Sequence, residues 1–202
     1  MNLKSTLLAL ASASCATAQS GSGPYPANYA TDPGLPGHTL YHPIDVPEGV
    51  TLPVLVWGNG ACAADGLAFV NFLNEVSSHG IFVIASGEPG GSGQTNSDMM
   101  VNAINWVTSD ETQSSYGYLE SSRIAVAGMS CGGVEAYDLV GDDRVSTVGI
   151  FNSGFISPKD AERVAPTISK PIFYFLGGPE DIAFENVRQA PILTSSSGCS
   201  LK

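Results

Sequence analysis

The sequence predicts an α/β fold in which a mostly parallel sheet carries helices on both faces. From residue 50 onward, short apolar or β-branched runs alternate with segments of helical length and period, which is typical of successive βαβ units. A glycine follows each apolar run within a few residues, as expected where a buried strand ends. The chain has 202 residues, 43% of them hydrophobic, so it is long enough for one well-buried domain.

The strands are predicted in chain order. Residues 19–49 are rich in proline and glycine, which favours turns and edge strands, and we expect an opening hairpin there. The apolar runs that follow predict five further strands: Leu52 to Trp57, Ile81 to Ala85, Ile124 to Ala127, Val148 to Phe151 and Ile172 to Leu176.

Two amphipathic helices are predicted between the first three of those five strands, because apolar residues recur there at i, i+3, i+4 and i+7. In the first helix they are Phe69, Phe72, Leu73 and Val76. In the second they are Met100, Ala103, Ile104 and Val107. Gly80 ends the first helix and Ser97 begins the second. Both apolar faces are expected to contact the sheet.

The charge balance excludes one class of partner. The chain has 8 Lys and Arg residues against 19 Asp and Glu residues, a formal net charge of −11. Such a chain repels a phosphate backbone over most of its surface, so we expect no nucleic-acid partner.

The first 18 residues have the pattern of a secretory signal. Lys4 precedes an apolar run from Leu7 to Ala11, and Ala16-Thr17-Ala18 has the small-x-small pattern of a cleavage site. The alternative is an ordinary N-terminal helix. No later stretch approaches the roughly 20 apolar residues of a membrane span. We therefore expect a secreted, extracellular protein with no membrane partner.

The cysteines suit an oxidising destination. Cleavage after Ala18 removes Cys15 and leaves Cys62, Cys131 and Cys199. A disulfide is expected outside the cell, and an odd count leaves one thiol over.

The segment Gly128-Met129-Ser130-Cys131-Gly132 is the strongest catalytic signal. It lies directly after one predicted strand and directly before a helical run that begins near Gly133. Glycines flank a serine in this way where a tight strand-to-helix turn exposes the hydroxyl above the sheet edge. The pattern predicts that Ser130 is a nucleophile. The alternative is a buried serine in a glycine-rich turn.

A second segment offers amide donors for the same chemistry. Gly58-Asn59-Gly60-Ala61-Cys62 follows the strand that ends at Trp57 and precedes a helix. Acyl transfer needs two N–H groups that stabilise the oxyanion. We expect the amide of Cys131 and one from Gly60 or Ala61 to form this oxyanion hole. The alternative is a simple strand-to-helix turn.

These two segments, together with Glu88-Pro89-Gly90-Gly91-Ser92-Gly93, carry a family resemblance. The chain resembles secreted fungal serine hydrolases of the α/β-hydrolase superfamily, in the branch of dienelactone hydrolases and polyester hydrolases, over most of residues 24–186. The resemblance implies the α/β-hydrolase fold and hydrolysis of carboxylic esters, either small molecules or polymers. It makes the strand ending at Trp57 the third of the family sheet, the strand before Gly128 the fifth and the strand from Ile172 to Leu176 the seventh.

The resemblance also implies further site residues. The acidic member of the catalytic triad follows the seventh strand in the family, which here points to Asp181, with the neighbouring Glu180 as its competitor. The alternative is a turn carboxylate that faces water. The third and fifth family strands are adjacent, which implies a Cys62–Cys131 disulfide and leaves Cys199 unpaired. Two buried free thiols are the alternative.

The catalytic base is missing from this pattern. The family order is serine, acid, histidine, whereas the three histidines of this chain, His38, His42 and His79, all precede Ser130. The resemblance stops near Asn186. We therefore expect an incomplete α/β-hydrolase domain over residues 19–186 that lacks the last strand and helix, an irregular tail over residues 187–202, and impaired activity. A non-catalytic secreted hydrolase-fold protein or a truncated gene product is the alternative.

No cofactor is expected. The glycine-rich segment from Gly87 to Gly93 is not followed by Gly-Lys-Ser/Thr, so it does not have the pattern of a phosphate-binding loop. No Cys/His pair has metal-ligand spacing. We expect neither a metal nor an organic cofactor.

Overall fold

A computed structural model describes residues 20–184. The predicted signal (residues 1–18), the predicted tail (residues 187–202) and Cys199 lie outside the described residues. Strands within the described range are β1 (Ala27–Ala30), β2 (His38–Pro43), β3 (Leu52–Gly58), β4 (Phe82–Ser86), β5 (Leu119–Met129), β6 (Val145–Phe151) and β7 (Ile172–Phe175). The α-helices are α1 (Val70–Ser78), α2 (Ser97–Val107), α3 (Asp110–Ser115), α4 (Cys131–Tyr137) and α5 (Pro158–Val164).

The strands form one mostly parallel sheet with the order β1-β2-β4-β3-β5-β6-β7. β1 and β2 form the antiparallel opening hairpin, and β2 pairs antiparallel with β4. From β4 through β3, β5 and β6 to β7, every neighbouring pair is parallel. The predicted hairpin and all five predicted strands are confirmed, and the α/β class with them. β5 begins at Leu119, before the predicted Ile124, because Leu119 pairs with Leu52 ahead of a register shift.

Helices cover both faces of the sheet. Along β3 the side chains alternate, so that Val54 and Val56 pack with the buried residues of α2, whereas Trp57 packs with Leu73 of α1. Parallel sheets are buried on both faces for this reason, and their strands are apolar nearly throughout. Within residues 20–184 no helix has the length and hydropathy needed to cross a membrane.

The predicted apolar face of α1 contacts the sheet. Leu73 is fully buried, and Phe69 and Val76 pack partly buried against the same cluster. Phe72 is 38% exposed, with its ring centroid 5.3 Å from that of Trp57. The helix also buries Ser77 and Ser78. Ser78 accepts hydrogen bonds from the segment before β1, at its Oγ from the amide of Gly23 and at its carbonyl from the amide of Tyr25. Hydrogen bonds thus join the end of α1 to the segment before β1.

Candidate active site

Ser130 occupies a strained turn at the carboxyl end of the sheet. It is the single residue between β5 and α4 and has φ 51° and ψ −113°. A positive φ is unfavourable for a residue with a side chain, so the surrounding structure must hold it. The Ser130 amide donates to the carbonyl of Phe151 at 2.9 Å, and its carbonyl accepts from Ser153 Oγ at 2.6 Å. We call residues 128–132 the serine turn.

Backbone strain is concentrated around this turn. The non-glycine residues with positive φ among those described are Ala61, Cys62, Ser130 and Asn152. They follow β3, β5 and β6, which are neighbours in the sheet. Parallel strands bring these positions to one edge, where α/β sheets place their binding sites. Strained residues cluster at functional sites, so this edge is the candidate site of the molecule.

The glycines of the serine turn are required by close backbone contacts. A Cβ on Gly132 would overlap the carbonyl of Gly58 at the end of β3, and one on Gly128 would overlap the backbone of Gly132. The first turn of α4 therefore packs directly against the backbone of two strands. This is the steric reason for the glycine pattern that the sequence displays.

Asn59 organises the neighbouring loop, which we call the Asn59 loop (residues 59–65). Its side chain is fully buried, and Nδ2 lies 2.9 Å from the carbonyl of Ala63, 3.0 Å from that of Asp65 and 2.8 Å from that of Ser86. The main-chain carbonyl of Asn59 accepts a hydrogen bond from the amide of Gly132 at 3.0 Å. Sequence reasoning missed Asn59, although an asparagine between two glycines after a strand is a typical loop-forming signal.

A disulfide joins the two segments. Cys62 and Cys131 are bonded, with their Cα atoms 5.2 Å apart, and the implied pairing is confirmed. The short 3-10 turn Gly60–Cys62 is thereby tied to the first residue of α4. The amide of Cys131, at a helix N-terminus, has no carbonyl partner within its own helix. Gly60 and Ala61 lie in the segment bonded to it, and the role of these three amides as oxyanion donors stays a prediction.

Ser130 opens onto a cavity of about 450 Å³. The disulfide forms part of its wall, and Val134, Ile156 and Ala183 supply apolar surface. The rest of the lining is polar and includes Thr95, Asn152 and Glu135. A mixed wall of this size fits a small ligand. A larger hollow of about 610 Å³, between residues 32–38 and helices α2 and α3, does not include Ser130.

Glu135 is a buried carboxyl group in this cavity wall. It is 6% exposed, and its Oε1 accepts a hydrogen bond from Thr95 Oγ1 at 2.7 Å. Burial raises the pKa of Glu135, and the charge of Asp138 raises it further, whereas the Thr95 hydrogen bond lowers it. Oε2 is buried without a partner among the described residues. Sequence reasoning missed Glu135, because its position in α4 reads as an ordinary polar helix residue.

Asp181 lies in the turn after β7, which we call the acid turn (residues 177–184). Its Oδ1 accepts from the amide of Ala183 at 2.7 Å, and its own amide donates to the carbonyl of Gly178. Ala183 lines the Ser130 cavity, whereas Asp181 does not. Glu180 is exposed. The triad role of Asp181 stays a prediction.

The three histidines lie elsewhere. The ring nitrogens of His38 are 3.0 Å from the carbonyl oxygen of Pro36 and 2.9 Å from that of Met99. His42 stacks on Phe82, and His79 pairs with Glu75 at 3.1 Å. None of them lines the Ser130 cavity. Within residues 20–184, Ser130 Oγ therefore has no imidazole beside it.

Across the described part of the chain, no group of three His, Cys, Asp or Glu side chains is arranged to hold a metal ion. Comparison with models of known protein families finds no match, and comparison with curated proteins finds none either. The functional assignment therefore rests on the geometry of the site and on the sequence pattern.

Proposed function

We propose that this chain is a secreted serine hydrolase of the α/β-hydrolase type that acts on carboxylic esters, with Ser130 as its nucleophile. The observation that carries the proposal is the strained Ser130, set between a parallel strand and a helix and open to a cavity. The strand order around it and the disulfide to the Asn59 loop add support. The signal pattern of residues 1–18 and the disulfide support secretion.

The proposed chemistry begins with attack of Ser130 Oγ on the ester carbonyl carbon. The carbonyl oxygen becomes an oxyanion, which accepts hydrogen bonds from the amide of Cys131 and from that of Gly60 or Ala61. The C–O bond to the alcohol then breaks, and the hydroxyl proton of the serine ends on the departing alkoxide. Water cleaves the acyl-serine in the second half of the cycle.

The proposal includes an impairment. The sequence has no histidine after Ser130, and loss of the triad histidine costs about a millionfold in turnover in a hydrolase whose triad has been dissected. In this chain Asp181 has no imidazole to orient. We therefore expect slow acylation by strongly activated reagents and negligible turnover of ordinary esters.

A fluorophosphonate probe tests the proposal on the secreted chain. We expect one covalent adduct per molecule, on the peptide that contains Ser130, with no adduct in Ser130→Ala. Ser97→Ala is the matched control, because Ser97 lines the same cavity and should leave labelling unchanged. Equal labelling of Ser130→Ala and the parent chain would refute the nucleophile.

An ester assay separates the two halves of the proposal. Negligible hydrolysis of a p-nitrophenyl ester is expected alongside covalent labelling. Rapid hydrolysis that disappears in Ser130→Ala would support the hydrolase and contradict the impairment. If labelling and hydrolysis are both absent, the result would favour a non-catalytic protein that keeps the cavity for binding alone.

A further inference from the structure

Four residues near Ser130 are linked in a ring by a disulfide, two hydrogen bonds and one turn of helix α4. Cys131 and Glu135 are four residues apart on α4, which places them on one face of the helix, one turn apart. Cys131 is disulfide-bonded to Cys62. The carbonyl of Cys62 accepts from the amide of Thr95 at 2.7 Å, and Thr95 Oγ1 donates to Glu135 Oε1 at 2.7 Å. Besides the Gly132–Asn59 hydrogen bond, the Asn59 loop is thus attached to α4 covalently through the disulfide and non-covalently through Thr95.

The Thr95–Glu135 hydrogen bond lies in a buried environment that is unfavourable for polar side chains. Thr95 is 7% and Glu135 6% exposed, so both polar groups have lost most of their contact with water. The second carboxyl oxygen, Oε2, is buried without a partner among the described residues, and a Cβ on Gly58 would lie only 2.9 Å from it. Burying a polar group without full hydrogen bonding is unfavourable, and an apolar side chain of similar size would fill this space at lower cost. Simple packing therefore does not account for the carboxyl group.

We propose that Thr95 and Glu135 are positioning residues whose bond holds the Asn59 loop against α4 in parallel with the disulfide. The bond thereby sets the spacing between the amide of Cys131 and the amides of Gly60 and Ala61. The part that concerns these amides rests on the proposed function. The mechanical part does not, because it concerns only how the two cysteine-bearing segments are held together.

The mechanical part has a consequence for the disulfide itself. Reduction by glutathione consumes two glutathione thiols, produces two protein thiols and releases one glutathione disulfide. A bond that keeps Cys62 and Cys131 close after reduction raises their effective concentration toward each other, which favours reoxidation. Breaking the Thr95–Glu135 bond should therefore make the disulfide easier to reduce.

The experiment titrates the folded chain against defined mixtures of reduced and oxidised glutathione and counts free Cys62 and Cys131 by alkylation and peptide mass spectrometry. Thr95→Val removes the hydroxyl and should lower the equilibrium constant for disulfide formation about five- to tenfold, the worth of a hydrogen bond of about 1 kcal/mol or slightly more. Thr95→Ser keeps the hydroxyl and should restore the parent value.

Two further variants complete the design. Glu135→Leu removes the acceptor and should match Thr95→Val, whereas Glu135→Gln keeps an acceptor oxygen and should stay near the parent. Thr108→Val is the matched control, because Thr108 directly follows α2 and its hydroxyl bonds locally to the carbonyl of Ile104 at 2.9 Å. Thermal melts verify that each variant is folded, and because Thr95→Val and Glu135→Leu remove opposite ends of the bond, either of them tests it if the other fails to fold.

The outcomes separate this inference from the proposed function. Equal equilibrium constants for Thr95→Val and Thr95→Ser would overturn the mechanical restraint, whatever the reactivity of Ser130. A shifted equilibrium with an unchanged rate of fluorophosphonate labelling would overturn the role in spacing the amides. A shifted equilibrium with labelling slowed in Thr95→Val and restored in Thr95→Ser would support both parts. Absence of labelling in the parent chain would refute the proposed function and with it the role in spacing the amides, while the equilibrium would still decide the restraint.

Discussion

The two sides of the Ser130 cavity are held in different ways. On one side, the serine turn and the Asn59 loop are joined by a disulfide, by the Gly132–Asn59 hydrogen bond and by direct contact between glycines. On the other side, every hydrogen bond that Asp181 makes within residues 20–184 stays inside the acid turn. Long-range bonds hold the first side, and local bonds hold the second.

This difference suits the roles that we propose for the two sides. Oxyanion donors act through fixed distances and need preorganisation, which long-range bonds supply. A carboxylate that orients another side chain depends on that partner for its own position. We therefore expect changes at the serine turn to cost much more stability than matched changes at the acid turn.

The largest effect should come from removing the disulfide, which would leave the first side held by non-covalent contacts alone. Cys62 and Cys131 are 69 residues apart, and closing a loop of this length stabilises a fold by about 4 kcal/mol in the chain-entropy account. The double variant Cys62→Ala, Cys131→Ala should lose about that much in urea denaturation. Its midpoint should not respond to reductant, whereas that of the parent should fall. A loss below about 1 kcal/mol would contradict the assigned importance of this link.

A pair of glycine substitutions compares the two sides directly. Gly132→Ala places a methyl group against the carbonyl of Gly58 and should cost about 3 kcal/mol or prevent folding. Gly178→Ala in the acid turn meets no atom within 4 Å and should change stability by less than about 0.5 kcal/mol. Denaturant titrations measure both. Similar losses for the two variants would show that the sides are equally constrained.

A substitution in the acid turn should have a smaller effect. Asp181→Ala removes the acceptor for the amide of Ala183 and should cost about 1 kcal/mol. Glu180 is exposed, so Glu180→Ala should leave stability unchanged. Thermal melts of both variants measure the difference. The fluorophosphonate labelling rate of Ser130 should stay the same in both variants, because no histidine links Asp181 to the serine. Slower labelling in Asp181→Ala alone would reveal a direct connection between the two sides.

The smallest effect is a pH dependence at Glu135. Because burial raises the pKa of Glu135 in the folded protein, its contribution to stability is fully present below its unfolded pKa and is lost as pH rises through the folded value. Glu135→Gln should therefore gain stability relative to the parent as pH rises from the acidic range through neutrality. Thermal melts across this range measure the difference, and a constant difference would contradict the raised pKa.

Asp142 provides the opposite sign as a control. Hydrogen bonds from Arg144 lower the pKa of Asp142, so its contribution is present above its unfolded pKa and is lost as pH falls through the folded value. Asp142→Asn should lose stability relative to the parent as pH rises over the acidic range. A parallel response of the two variants would indicate an effect of overall charge.

Much of the fold could be predicted because its signals are local. The β-branched runs identified the strands from Leu52 to Leu176, and the glycines around Ser130 identified the serine turn, since steric limits on a tight turn act between near neighbours. The Cys62–Cys131 pairing required the adjacency of two strands, which came from the family resemblance. The apolar spacing also predicted the side of α1 that contacts the sheet, whereas the bonds of Ser78 to Gly23 and Tyr25 join segments that are far apart in the chain.

The sequence by itself determined the order of the elements and the serine turn, because strand period, helical spacing and the steric need for glycine depend on residues close in the chain. Only the tertiary structure decided which distant groups meet. Thr95 and Glu135 are 40 residues apart, and nothing in either segment indicates the other. Asn59 likewise contacts the carbonyl of Ser86 only because β3 and β4 are neighbours. Such contacts follow from the packing of whole elements, so local patterns carry no record of them.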